Sequence, residues 1–190
     1  MTDVPRTEKP RLVLESRSIN LRLAEVADAE FILQLRLDGL LSRHLSKVEN
    51  DVEKQREWLR SYKVREQQRQ EFYFIIEGKD GEPCGTVRLY DFIGDSFGCG
   101  SWVLKQGAPV HFAIESVLMV YGYAFDVLEF QTGHFDVRKE NVKVVAFHTR
   151  FGDQLVREDE QYVYFELTKE KFEQAKRRYR KYMGGYVKIT

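Results

Sequence analysis

The sequence predicts a single α/β domain in which a mixed sheet of about six to seven strands is flanked by helices. Three observations point to it. The apolar period switches repeatedly between two and 3.6 along the chain. The switches fall at turn residues such as Gly78-Lys-Asp-Gly and Gln106-Gly-Ala-Pro. The 190 residues suit one domain, and no repeat, linker or low-complexity stretch divides them.

Residues 1–10 read as a flexible, polar tail. Arg11-Leu-Val-Leu and Ile19-Asn-Leu-Arg-Leu alternate as strands do, and from Val26 the pattern becomes helical, with Phe31, Leu35 and Leu37 apolar and Gly39 as the stop. Asn50 or Asp51 caps a second helix to about Gln68, with Val52, Trp58, Leu59 and Tyr62 on one side. Phe72–Glu77 and Cys84–Tyr90 form a hairpin around the Gly78–Glu82 turn. Gly94–Gly100 reads as a loop before a strand at Ser101–Lys105. A strongly apolar helix, about Val110 to Leu128, precedes a strand at Gln131–Val137, a short helix at Asn141–Arg150, a strand at Gln161–Leu167 and a charged helix at Lys169–Met183.

Thirty basic residues balance thirty acidic ones, which removes nucleic-acid binding driven by overall charge. At 43% hydrophobic and 32% charged, the chain has the composition of a globular domain, and about 70% of its unfolded surface could be buried. No stretch approaches the roughly 20 apolar residues of a membrane span, and the first residues lack an apolar leader core. Cys84 and Cys99 match no zinc or redox spacing and read as small buried residues in a reducing compartment. The four histidines are scattered, so no metal is expected.

Between Trp102 and Ala113 a strand, a tight turn and a helix start follow one another, and free amide N–H groups with the helix dipole favour an anion there. Any β–turn–α unit shares that feature. Arg22-Leu-Ala-Glu-Val-Ala-Asp-Ala, Glu53-Lys-Gln-Arg-Glu-Trp-Leu, Ile114-Glu-Ser-Val-Leu, Tyr121-Gly-Tyr-Ala-Phe-Asp-Val-Leu and Asn141-Val-Lys-Val-Val-Ala-Phe-His-Thr-Arg-Phe-Gly carry more. In this order, over about Leu21 to Leu167, they resemble the GNAT acetyltransferase superfamily in its RimJ/RimL-type branch. The resemblance implies an acetyltransferase domain over 11–167 followed by a charged C-terminal helix and tail over 168–190. It also implies a cofactor cleft where the family's fourth and fifth strands splay apart. Phe72-Tyr-Phe-Ile-Ile-Glu, Gly100-Ser-Trp-Val-Leu-Lys and His134-Phe-Asp-Val-Arg-Lys-Glu-Asn look like acetyltransferases of nucleotide-sugar and O-antigen pathways. There the acceptor is an amino group on a nucleotide-linked deoxysugar.

Acetyl-CoA is the cosubstrate that this resemblance implies. The family's loop Gln/Arg-x-x-Gly-x-Gly/Ala departs here, because its two glycine places fall at Pro109 and His111. Gly107, Ala108 and the N–H groups from Val110 onward remain for the pyrophosphate. The Val103 N–H is the implied polariser of the thioester carbonyl, and Asn141 matches the family's cofactor-contacting asparagine. His148 stands at the family's general-acid tyrosine and suits proton donation near neutral pH, or else is a hydrogen-bonded helix residue. His134 and Asp136 project to one face of a strand, as a base with its orienting carboxylate or as a structural pair, and deprotonation by water is the alternative. Arg43 and His44 lie where the branch receives its acceptor, and an arginine there suits a diphosphate. Tyr90 and Trp102 either stack on a base or sugar or belong to the core.

The last helix carries seven basic and two acidic residues, which suits an anionic surface, or a solvated helix with Phe172, Ala175, Tyr179 and Tyr182 turned inward. The reading is an N-acetyltransferase acting on a small amine, with no nucleic acid and no integral membrane contact, in the cytoplasm, as a monomer or homodimer. A protein N-terminus or simple amine as acceptor, and a non-catalytic binding module on the same fold, are the other readings.

Overall fold

The computed structural model describes residues 12–183 and 187–189, and the tail expected at 1–10 lies outside them. Strands β1 (Leu12–Glu15) and β2 (Ile19–Leu23) lead through a 3-10 turn at Val26–Asp28 to helices α1 (Ala29–Leu37) and α2 (Val52–Gln67). Strands β3 (Phe72–Gly78), β4 (Pro83–Ile93) and β5 (Ser96–Leu104) follow, then α3 (Val110–Gly122), which continues into a π-helical turn at Tyr123–Val127. Strand β6 (Thr132–Arg138), helix α4 (Val142–Phe151), strands β7 (Gln154–Glu158) and β8 (Tyr162–Thr168), helix α5 (Lys169–Arg178) and β9 (Val187–Ile189) complete the order.

The sheet order is β7-β8-β6-β5-β4-β3-β2-β1-β9. All neighbours are antiparallel except β5 and β6. The α/β class and the single mixed sheet stand as expected, with more strands than six or seven. All five residues of β7 are exposed, so this edge strand carries no alternation to read. Gly94–Gly100 is mostly strand rather than loop, because β4 and β5 pair as far as Ile93 with Ser96. The charged C-terminal helix ends at Arg178 and gives way to a 3-10 turn at Arg180–Tyr182.

Alternation along β3 divides the interior. Phe74 and Ile76 join Val117, Val120, Phe125, Phe165 and Phe172 in the larger core beneath α3, α4 and α5. Tyr73 and Ile75 point the other way, onto Ile32 of α1 with Leu59 and Tyr62 of α2. The Asp51 carboxylate caps α2 by accepting from the N–H groups of Glu53 (2.9 Å) and Lys54 (3.1 Å). Arg22 forks onto Asp28 at 2.7 Å and reaches Glu77 at 2.6 Å, tying β2 to the turn before α1 and to β3.

The Val110–Val127 segment is apolar and long enough to cross a membrane by length and composition, with mean hydropathy 1.2, contrary to the expectation that no segment reaches that measure. Half of it is buried inside this fold. Glu115 sits in its middle, 2% exposed, and accepts from the Ser16 hydroxyl and from the Ser18 N–H at 3.0 Å.

Candidate active site

Strands β5 and β6 pair only through Ser96–Thr132, Phe97–Gly133 and Gly98–His134. Beyond Gly98 they part, and a cleft of about 470 Å3 opens between Cys99–Trp102 on one side and Phe135–Arg138 on the other. A bulge widens it. The β4–β5 register slips between Thr86 and Arg88, and Ser101 takes φ +47°, a left-handed conformation that L side chains adopt at some strain. The Thr86 hydroxyl holds the bulge by donating to the Ser101 carbonyl at 2.8 Å. The splay expected for the cofactor cleft is thus built by pairing that stops after three residue pairs and by one bulge.

Backbone groups on an antiparallel strand alternate in direction. The Lys105 N–H donates to the Cys84 carbonyl at 2.8 Å, and Val103, two residues back, pairs with Thr86. The Val103 carbonyl lies so close to Gly85 that no Cβ would fit there. Val103 therefore directs its backbone toward β4, and it does not line the cleft. The next amide, that of Leu104, alternates to the open edge, which is the physical reason to move the carbonyl-polarising role off Val103.

Helix α3 begins at the mouth of the same sheet edge. Pro109 is its cap residue, at φ −55° and ψ 136°, a position that needs no N–H of its own. No side chain caps this end, and its first turn holds no acid. Gly107 stands at φ +83°, with open space around a would-be Cβ, so the turn needs glycine for its backbone. Gly107, Ala108 and Val110, which is 91% exposed, sit at this helix start and outside the cleft lining. The arrangement leaves first-turn N–H groups for an anion despite the proline. Asn141 caps α4 through its backbone, with Val144 and Val145 donating to its carbonyl at 3.0 Å each. Its side chain makes no capping bond and stands on the cleft wall, where its amide can serve a ligand.

His148 is on the same wall and only 5% exposed. Its ring stacks against Phe135 (centroids 5.2 Å apart, planes at 27°) and Phe165 (5.1 Å, 20°). Its Nδ1 contacts Oδ2 of Asp153, a residue that sequence reasoning did not single out. Burial pushes the Asp153 carboxyl up, against the pull of His148. Nearby, burial pushes the Cys99 thiol up to about 12 and the Tyr121 phenol well above its ordinary value.

The other candidates separate. His134 lies outside the cleft lining, and Asp136 is not its partner. Its Nδ1 contacts the Ser96 hydroxyl at 2.7 Å and its Nε2 contacts Asp91 at 3.3 Å, so the ring bridges the paired part of β5 and β6 to the β4–β5 turn. Asp136 lines the cleft without it. Arg43 is exposed, with its Nε donating to the Leu40 carbonyl at 3.3 Å, whereas Arg36 of α1 reaches the cleft wall and was missed. Arg36 donates to the carbonyl and hydroxyl of Ser46 at 2.8 and 2.7 Å. His44 lines the cleft, and its buried Nδ1 has no partner, nor does Nε of Arg36. Tyr90 and Trp102 both line the cleft. Arg88 stacks over Tyr90 at 5.0 Å, and the Trp102 indole N–H donates to Ser116 at 3.2 Å while its ring meets Phe147 at 4.9 Å. Among the described residues no group of three or more His, Cys, Asp or Glu gathers to hold a metal ion.

A mixed sheet splayed at its one parallel pair among the described residues, with a bulge on one lip and an uncapped helix start following it, is the architecture of an acyltransferase fold. The chain belongs to the GNAT family: the pattern described as "Acetyltransferase (GNAT) domain" matches residues 18–154. It is accordingly an N-acetyltransferase, of a fold that uses acetyl-CoA. No curated protein matches its sequence. Among solved structures, apo FdhC, described as a nucleotide-linked sugar GNAT, is 42% identical, with 90% of this chain and 98% of that chain covered and a TM-score of 0.84. RimJ from Mycobacterium smegmatis in complex with CoA-disulfide shares the fold at 16% identity, 90% and 97% coverage and a TM-score of 0.71. A GCN5-related N-acetyltransferase from Brucella melitensis does so at 16% identity, 93% and 89% coverage and a TM-score of 0.73.

Proposed function

We infer that this enzyme transfers the acetyl group of acetyl-CoA to the amino group of a nucleotide-linked amino deoxysugar, in a cytoplasmic step of O-antigen or related polysaccharide synthesis. The observation that carries the reading is the cationic acceptor side of the cleft. Arg36, Arg138 and His44 line it against a single carboxylate, Asp136, whereas Arg88 is already held by the buried Glu71. Such a lining suits an acceptor that carries a diphosphate. The likeness to FdhC supports the same class of acceptor.

The chemistry then divides among the residues in place. First-turn amides of α3 with Gly107 and Ala108 take the pyrophosphate, and Asn141 holds the pantetheine arm at the open edge of β5. The open-edge amide of Leu104 polarises the thioester carbonyl. The amine attacks that carbon, a C–N bond forms, the C–S bond breaks, and His148 protonates the departing thiolate. Water takes the proton that the nitrogen releases, because His134 stands away from the cleft. Residues 11–167 act as the transferase domain, with 168–190 as its charged C-terminal helix and tail.

The test is thiol release from acetyl-CoA by the purified chain against a panel of amines, run beside isothermal titration of the cofactor. Release with amino-deoxysugar nucleotides, and little with polyamines or N-terminal peptides, is the expected result. Release only with the latter moves the acceptor elsewhere, and no release with any amine overturns the reading.

A further inference from the structure

We propose that Asp153 is a positioning residue for acetyl transfer, a buried carboxylate that selects the tautomer of His148 and presents its Nε2 to the cleft. The inference rests on the reading of His148 as the acid, and it adds a second residue that a phenolic acid at this place would not need.

Local sequence explains how the pair arises. Gly152 terminates α4 at φ +113°, and the N–H groups of Gly152 and Asp153 both donate to the His148 carbonyl at 3.1 Å. This doubled closure brings residue 153 back beside residue 148. Asp153 then meets Nδ1 through Oδ2, with its side chain 0% exposed and that of His148 7% exposed. An ionised carboxylate only accepts, so Nδ1 carries the hydrogen and Nε2 is left as the ring nitrogen for the cleft. Phe135 and Phe165, paired neighbours on β6 and β8, both stack against the ring and oppose its rotation.

A structural cap does not need this chemistry. The second carboxylate oxygen of Asp153 is buried without a partner, and among the described residues no other charged group offsets it. Burying a carboxyl in that state costs stability, whereas an apolar residue would close the same turn. What the carboxylate does supply is a fixed tautomer and a counter-charge for the imidazolium. In the transfer step the Nε2–H bond breaks and an S–H bond forms on the coenzyme A thiolate, while the Nδ1–H stays on the ring and Asp153 stays ionised. The other titratable groups of these elements that line the same cleft are Tyr121 from α3, Cys99 from β5, Asp136 and Arg138 from β6 and Tyr162 from β8.

Asp153→Asn, His148→Ala and the double variant test it, with kcat and KM measured across pH on whichever acceptor the wild type turns over. The expected result is a fall in kcat of about 10²-fold for Asp153→Asn. KM for acetyl-CoA should stay within about threefold, because the pair does not touch the pyrophosphate site. The alkaline limb of the kcat profile should move to lower pH. In the His148→Ala background the Asp153 substitution should add less than about twofold. Wild-type kcat and profile in Asp153→Asn, or a full additional loss in the double variant, overturns the proposal. The ring 15N spectrum gives a readout that needs no turnover. The Nδ1–H form should dominate at His148 in the wild type and be lost in Asp153→Asn, and an unchanged spectrum also overturns the role. If Asp153→Asn does not fold, Asp153→Glu, which keeps the carboxylate, is expected to retain the Nδ1–H signal and partial kcat, and loss of both sinks it. Absence of turnover in the wild type with any amine would instead count against the acetyl-transfer reading, which separates the two failures.

Discussion

Two cysteines near the working parts of this enzyme are chemically quiet for a reason visible at the scale of single residues. Cys99 lines the cleft, yet burial pushes its thiol up to about 12, and burial pushes Cys84 up to about 11. Because the thiolate is the reactive form, at pH 8 about one thiol in a thousand or fewer would be ionised at either site. Native protein at pH 8 should therefore resist iodoacetamide at both positions, as read by intact mass. Labelling should quicken about tenfold per pH unit up to pH 10 and become rapid at any of these values once urea unfolds the chain. Fast native labelling of Cys99 would show that the cleft is wetter than its packing indicates. The same scale separates the histidines. His148 and His134 look alike as chemical types in the sequence, but one stacks against two phenylalanines on the cleft wall and the other links Ser96 to Asp91.

At the scale of elements, the start of α3 is the proposed seat of the coenzyme A pyrophosphate. The turn keeps one glycine that its backbone requires, Gly107 at φ +83°, and replaces a second by Pro109 at the cap, where the missing N–H is not needed. Gly107→Ala should distort or strain this turn by about 1 kcal/mol. If the turn relaxes away from its anion-binding shape, the acetyl-CoA Kd rises about fivefold in isothermal titration. If the turn instead keeps its shape, the same strain appears as about 1 kcal/mol of lost fold stability in urea unfolding, with the Kd unchanged. An unchanged Kd together with unchanged stability would place the pyrophosphate elsewhere. Elements also show how far the sequence could be read. A cap at Asn50 or Asp51, the Phe72–Glu77 strand and the short helix at Asn141–Arg150 were legible because capping residues and apolar alternation act locally. Strand β7 and the first half of β5 were not, since an exposed edge strand has no buried face and Gly98 and Gly100 break the alternation.

For the whole molecule, the charged C-terminal helix is part of the core and not an appendage. Phe172 is fully buried, stacks on Phe125 at 5.0 Å and meets Tyr121 edge-on at 6.2 Å, while the seven basic residues of the segment face outward or pair, as Lys176 does with Asp126 and Glu173. Phe172→Ala should cost about 3–5 kcal/mol in urea unfolding, because the cavity would open where α3 and α5 meet. A loss under about 1 kcal/mol would show that α5 is only loosely docked. The apolar Val110–Val127 segment is satisfied by the same packing, and Glu115 in its middle binds the β1–β2 turn.

By itself the sequence determined the α/β class, the family resemblance and the neighbourhood of the cofactor, because periodicity, caps and turn residues are written in contiguous stretches. Tertiary structure alone decided that β5 and β6 separate after Gly98, that Arg36 and not Arg43 lines the cleft, and that Asp153 stands behind His148. Each of these depends on how distant segments meet. A carboxylate five residues from a histidine becomes its partner only when a left-handed glycine closes the helix and two phenylalanines from separate strands hold the ring in place.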